Sequence, residues 1–335
     1  MAVTPVAQVS AHGTVGTGKT RLHGDLAVGD DVTRTEPVEH PGDRLGEGLR
    51  SHPRTLVPCR RVHVVADDSP SGSRPPPQDL HHRCVVITGA SRGLGSALAQ
   101  RAAQLGATVA GCARSRPDPS LTLGATVDVG DHGAVNNFAA SVVRRLGPIH
   151  LWINNAAVID PLGPLRDRSE GDVTRILDTN VAGVWNGTVA FLRHRREQGG
   201  SGALVNISSG VALRASAGTG LYSASKAAVD RLTEATALEE ADQGIDAWAI
   251  HPGVVDTAMQ TSLRTADPAD FPRAAEFQQL ADLNAFNTGS YVADWLFAIA
   301  FDPRYRPPSV VWRLPDERTR PSAPPLGAVD AEPAR

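Results

Sequence analysis

Short apolar runs recur along the middle of the chain, separated by stretches in which apolar residues return every three or four positions. Residues 84–88 read Cys-Val-Val-Ile-Thr, an unbroken run of strand type whose lack of alternation points to burial on both faces. Comparable runs fall at 107–112, around 125–128, and at 149–153, 203–207 and 246–250. The intervening periodicity predicts helices over 96–105, 132–146 and 172–196, and another running on from Lys226 to residue 235. Strands alternating with helices at this spacing imply an α/β fold, a doubly wound parallel sheet in a single domain over residues 81–318. Ligands of such sheets sit beyond the carboxyl ends of the strands, where Gly89, Asn154, Ser209 and Pro252 all fall.

The flanks have another character. Residues 1–80 are rich in Gly, Pro, Asp, Arg and His and show no sustained period of 2 or 3.6. Within them, residues 67–77 read as a linker. Such a composition buries too little apolar surface to offset its ordering entropy, so 1–80 is expected to be a disordered extension and 319–335 a disordered tail. Residues 13–20, Gly-Thr-Val-Gly-Thr-Gly-Lys-Thr, fit the phosphate-loop pattern G-x-x-x-x-G-K-T. That pattern carries chemistry only where a buried strand enters it and a helix leaves it. Residues 6–12 make a poor strand and 21–30 a poor helix, so the match is read as chance.

A formal net charge of −3 over 335 residues gives no pull toward nucleic acid or an acidic membrane. The three cysteines, Cys59, Cys84 and Cys112, are widely spaced; they suit a reducing compartment and suggest neither a disulfide framework nor a metal site. With no long apolar run and no signal-peptide pattern at the start, a soluble cytoplasmic protein is expected.

Candidate chemistry gathers at two places. After residues 84–88 comes the turn Gly89-Ala90-Ser91-Arg92-Gly93-Leu94-Gly95, then a helix. Strand, glycine-rich turn and helix form the Rossmann-type arrangement that seats a dinucleotide pyrophosphate on a helix N-terminus. Farther on, Tyr222 and Lys226 stand four apart on one helical face, which aims a phenol and an ammonium into the same space. A nearby cation favours the phenolate and draws the tyrosine pKa toward neutrality.

These motifs, in this order, resemble the short-chain dehydrogenase/reductase family over roughly residues 82–315. The resemblance rests on residues 88–95, Asp128-Val129, Asn154-Asn155-Ala156-Ala157, Asn180, Ser209, Tyr222 with Lys226, and Pro252-Gly253 through Val255 to Thr257. Family members usually carry Gly where this chain has Ala157. The resemblance implies that Tyr222 donates a proton to a substrate carbonyl as hydride arrives from the nicotinamide. It implies that Lys226 lowers the Tyr222 pKa and holds the nicotinamide ribose, that Ser209 binds the substrate oxygen, and that Asn180 holds a water leading from Lys226 to solvent. Gly89, Ser91, Arg92, Gly93, Leu94 and Gly95 are then the phosphate turn. Asp128, Val129, Asn155, Ala156, Pro252, Gly253, Val255 and Thr257 line the rest of the cofactor cleft.

The cofactor is expected to be NADP(H) rather than NAD(H). The position where NAD-preferring members carry an acid is Ala113 here, followed by Arg114, and Arg92 lies in the turn; two guanidiniums suit a 2′-phosphate. Residues 254–260 and the mobile-looking stretch to about 287 are expected to cover the substrate. Their Asp256-Thr257-Ala258-Met259-Gln260 run is similar to that of the sepiapterin reductase and benzil reductase subgroup. Near the chain end the acids Asp316 and Glu317 come only after residues 310–313, which tilts the expectation from a pterin toward an apolar or aromatic ketone or diketone. Phe271, Phe277, Phe286 and Trp295 are candidates to line its pocket. A homodimer or homotetramer through the long helices is expected. The alternative is a non-catalytic NADP-binding regulator on the same fold.

Overall fold

The computed structural model describes residues 74–318. The phosphate-loop match at 13–20, the extension up to residue 73 and the tail from 319 lie outside the described residues.

Seven strands form one sheet, all parallel, in the order β3-β2-β1-β4-β5-β6-β7. They are β1 Cys84–Thr88, β2 Thr108–Ala113, β3 Leu123–Thr126, β4 Leu151–Asn154, β5 Gly202–Ile207, β6 Ile245–His251 and β7 Val311–Arg313. Every residue of β1 and β4 is buried, as central strands covered on both faces require. Alternation sorts their side chains between two cores. Val85, Ile87, Leu151 and Ile153 pack with helices α1 (Gly93–Gln104) and α8 (Gly289–Phe301). Cys84, Val86 and Trp152 pack on the other face with α2 (His132–Leu146) and α4 (Gly183–Gln198). Strand order reverses between β1 and β4, and that switch point opens a crevice at the carboxyl ends of the strands.

Several elements differ from expectation. The fold takes up the chain ahead of residue 81: Leu80 is fully buried in the core, and the Arg74 guanidinium lies 2.7 Å from the buried Asp294 carboxylate. Strand β3 ends at Thr126, which leaves Asp128 and Val129 in the loop beyond it. The expected helix 172–196 is two helices, α3 (Glu170–Leu177) and α4, joined by a π-helical turn at Asp178–Ala182 that contains Asn180. Wide turns of this kind reposition side chains inside otherwise regular helices. Helix α5 (Gly220–Glu239) starts before Lys226 and so includes Tyr222. The stretch expected to be mobile holds α6 (Ala258–Arg264) and α7 (Ala274–Asp282).

Candidate active site

The turn after β1 is shaped by steric necessity. Gly89 sits at φ +69°, and a Cβ there would lie 2.8 Å from the Ala156 Cα. A Cβ on Gly95 would strike the Gly89 carbonyl and come within 2.6 Å of Asn155 Nδ2. The cradle is held shut from the β4 side. Asn155 Nδ2 donates to the Thr88 carbonyl (2.9 Å), and the amides of Asn155 and Ala156 donate to Thr88 Oγ1 (3.0 and 3.1 Å). Asn155 thus ties the two strands together at the switch point. Arg92 is the N-cap of α1 and makes no side-chain cap bond, and no acid lies in the first turn, so the first amides and the positive end of the helix dipole face the turn. Across from it, Thr257 Cγ2 lies 3.4 Å from where a Gly93 Cβ would stand, which puts residues 252–257 opposite the glycine turn. That segment is fixed by Asn287, whose Nδ2 donates to the Pro252 carbonyl at 2.8 Å and whose backbone bridges Val255.

At the end of β2, Ala113 is buried and Arg114 exposed. Among the described residues neither Arg92 nor Arg114 makes an ion pair or side-chain hydrogen bond. The next acid along the chain, Asp118, is fully committed. It accepts from Ser96 Oγ, from Gln100 at 2.9 Å, and from the Ser120 amide and hydroxyl at 2.9 and 2.6 Å. Those hydrogen bonds outweigh its partial burial and hold its carboxyl down to about 2. No carboxylate is left free there to bond a ribose diol. In the loop after β3, Asp128 Oδ1 accepts from the Gly130 amide at 3.0 Å, and the Val129 carbonyl accepts from Asn186 Nδ2 at 2.8 Å.

The structure brings Ser209, Tyr222, Lys226 and Asn180 together at the carboxyl end of β5. Tyr222 and Lys226 occupy successive turns of α5, both buried. Lys226 Nζ donates to the Ile207 carbonyl at the end of β5 (2.7 Å) and lies 5.7 Å from the centroid of the Tyr222 ring. Asn180 Oδ1 accepts from the Val158 amide, while its Nδ2 donates to the Val158 carbonyl and to Ser225 Oγ (2.8, 2.8 and 3.0 Å). Both amide protons are therefore used in clamping α5 to the segment after β4; they are not available to a water.

Burial dominates the titration of both key groups. It pushes the Tyr222 phenol up to about 12, against a hydrogen bond with Ser209 that acts the other way. It pushes the Lys226 ammonium down to about 8, against the attraction of Asp230. The expected lowering of the tyrosine by the lysine is thus not what this arrangement delivers, because desolvation of the phenolate outweighs a cation aimed at a carbonyl. The site places a buried phenol, whose pKa burial raises, beside the Ser209 hydroxyl and in front of the Lys226 amine. Such a group is suited to give a proton to an oxygen that is gaining charge.

Sequence reasoning missed the groups behind Lys226. Asp230, one turn farther along α5, lies 3.1 Å from His251 Nε2 at the end of β6, and both are buried. The spacing of four from Lys226 was the available signal. Also missed was a buried amide network. Asn154 accepts from Trp152 Nε1 at 2.8 Å and donates to Asn206 Oδ1 at 2.9 Å, and Asn206 donates to Thr233 Oγ1 at 2.8 Å.

Tyr222 packs in an apolar cluster with Ile159, Leu263, Phe271 and Ala274, joined by the half-buried Phe277, whose ring lies 5.4 Å from that of Phe271. A small hollow beside Tyr222 is walled by Ile159, Leu165, Leu221 and Arg168. Phe271 and Phe277 thus pack in the cluster around Tyr222, while neither is among the walls of the hollow. Trp295 lies elsewhere: it packs between Tyr291 and Trp312 in the core under α8, and Phe286 is buried outside the Tyr222 cluster.

A family model described as short chain dehydrogenase matches residues 83–268, more than half of the chain. The chain is similar to the NADPH-dependent pterin aldehyde reductase of Arabidopsis thaliana, with 36% identity over 196 residues, 54% of this chain and 78% of the relative. It is 34% identical over 200 residues to the short chain dehydrogenase mpl6 of Monascus purpureus, covering 55% of this chain and 68% of that one. Among solved structures, a short chain dehydrogenase from Burkholderia cenocepacia in complex with NADP superposes with a TM-score of 0.59 at 28% identity, covering 71% of this chain and 97% of that one.

Proposed function

The chain belongs to the short chain dehydrogenase family, and from that premise we propose that it is an NADPH-dependent carbonyl reductase with Tyr222 as proton donor. The observation that carries this reading is the buried Tyr222 on α5, with Ser209 beside its phenol and Lys226 one helical turn away, 5.7 Å from the ring centroid.

The residues present fit a dinucleotide phosphate. The turn admits no Cβ at Gly89 or Gly95, which keeps its backbone bare at the start of α1, and Arg92 and Arg114 are free to meet a 2′-phosphate where no free acid stands in its way. Ser91, Leu94, Asp128, Val129, Ala156 and residues 252–257 complete the cleft. When bound there, the reduced nicotinamide supplies the hydride. The chain's own residues do the rest. Ser209 and Tyr222 offer hydroxyls to the carbonyl oxygen of the substrate, and Tyr222 gives up its proton as charge develops on that oxygen. Lys226 lies near enough to stabilise the phenolate so formed, and Asp230 favours its charged state.

The surroundings of Tyr222 support one substrate class. Ile159, Phe271 and Phe277 around it, with Leu165 and Leu213 exposed nearby in sequence to the hollow and to Ser209, favour an apolar or aromatic ketone or diketone. The Arabidopsis relative places a pterin aldehyde in the same test. Turnover of NADPH with benzil, aryl diketones, a pterin aldehyde and aliphatic aldehydes, in wild type and Tyr222→Phe, ranks these classes. Tight NADPH binding with no turnover on any of them would instead favour the non-catalytic regulator. A homodimer or homotetramer is supported by Trp185 on α4 and Leu238 on α5, apolar yet 48% and 55% exposed; light scattering after gel filtration measures it.

A further inference from the structure

A cavity of about 460 Å³ opens at the end of the sheet opposite the catalytic cleft. Its walls are residues that lead into three strands, Arg83 before β1, His150 before β4 and Ser201 before β5, together with Arg195 and Gln198 at the end of α4. No acid lines it. Arg195 is only 4% exposed, yet no carboxylate pairs with it among the described residues. Its Nη2 donates to the carbonyls of Gly199 (2.6 Å) and Ser201 (2.7 Å), while Nε is buried with no partner. A buried guanidinium without a counter-charge is costly, and two carbonyl dipoles at a helix C-terminus offset only part of that.

The neighbours add to the positive field. Arg83 lies over the Phe301 ring at 5.2 Å and is otherwise exposed at the rim. His150 accepts the Cys84 amide on Nδ1 at 3.0 Å, which places the proton of its neutral ring on Nε2. Burial, and then the Arg83 and Arg195 charges, push the His150 pKa down and keep that ring neutral. The cavity therefore combines two guanidiniums and a neutral N–H donor, with nothing negative among its walls.

We propose that this cavity binds a small phosphate-bearing molecule, with Arg195 and Arg83 supplying charge and His150 Nε2–H a further hydrogen bond. Guanidiniums reaching a ligand from two elements, with a third donor, match the several acceptor oxygens of a phosphate better than a single carboxylate. The site is separate from the cofactor cleft, which lies at the other ends of the same strands.

The test is calorimetric titration of the full chain with inorganic phosphate, pyrophosphate and citrate, NADP⁺ being present at saturation. Saturable binding of phosphate or pyrophosphate is expected. Arg83→Gln, a rim substitution that leaves the core untouched, should weaken it about tenfold or more, the loss of one hydrogen bond to a charged group. Arg195→Gln should do the same where it folds, and Arg92→Ala/Arg114→Ala should leave it unchanged. Absence of saturable binding would overturn the proposal. So would affinity unaltered in Arg83→Gln, binding of citrate alone, or loss of binding in Arg92→Ala/Arg114→Ala, which would place the anion in the cofactor cleft.

Discussion

Replacing Lys226 by Met should make the folded protein less dependent on pH while destroying its activity. Burial moves the Lys226 pKa from 10.5 to about 8. The sign follows from proton counting. Below pH 8 folded and unfolded chains both hold this proton, and the penalty for burying the ammonium is present in full. Between pH 8 and 10.5 the unfolded chain still binds the proton and the folded chain has released it, so stability climbs as pH rises. A shift of this size corresponds to about 3 kcal/mol, at roughly 1.4 kcal/mol per pKa unit, of which about two-thirds is regained by pH 10. Met fills a similar volume without the charge, at the expense of the hydrogen bond to the Ile207 carbonyl, a loss of about 1 kcal/mol that does not vary with pH. Equilibrium urea unfolding at half-unit steps from pH 7 to 10 measures the difference. The wild type should gain on Lys226→Met by about 2 kcal/mol over that range. Tyr222 does not obscure the comparison, because its raised pKa lowers stability only above pH 10 and does so in both proteins. Curves that run parallel from pH 7 to 10 would refute the reasoning, since Lys226 would then titrate as an ordinary exposed lysine.

Two further outcomes can be measured. Arg92→Ala with Arg114→Ala should raise the KM for NADPH by about ten- to a hundredfold, one charge-assisted contact per residue, and leave the KM for NADH unchanged; equal effects on both cofactors would contradict the assignment. Asn180→Ala leaves the Val158 amide without its acceptor and unties α5 at Ser225, so unfolding should become easier by about 2 kcal/mol in denaturant titration.

Much of this site could be read from the chain because its local chemistry has few alternatives. An unbroken apolar run ending in Gly89 and resuming as a helix has one common structural use, and it appears as β1, the turn and α1. Tyr222 and Lys226 needed only helical spacing to be placed together. What escaped the reading depended on tertiary context. Helix α8 is apolar almost all round and carries no amphipathic period, because it lies buried against the sheet. Strand β7 is three residues long, too short to signal itself. The π turn at Asn180 answers to hydrogen bonds with Val158 and Ser225 from other elements, which no local pattern reveals. The protonation of Tyr222 turned on burial, and sequence spacing shows a neighbouring cation but not the desolvation that outweighs it. Arg195 escaped for the same reason: in the sequence it is one of several arginines near the end of a helix, and only the fold leaves it buried without an acid.

The most direct test of the central claim is single-turnover hydride transfer from NADPH to the best ketone found in the substrate panel, comparing wild type with Tyr222→Phe. NADPH affinity is read in parallel from cofactor fluorescence. If Tyr222 gives the proton, the variant should bind NADPH within about threefold of wild type and transfer hydride about 10²–10⁴ times more slowly, the range for loss of a general acid. Transfer at close to the wild-type rate with binding intact would contradict the account and place the proton donor elsewhere.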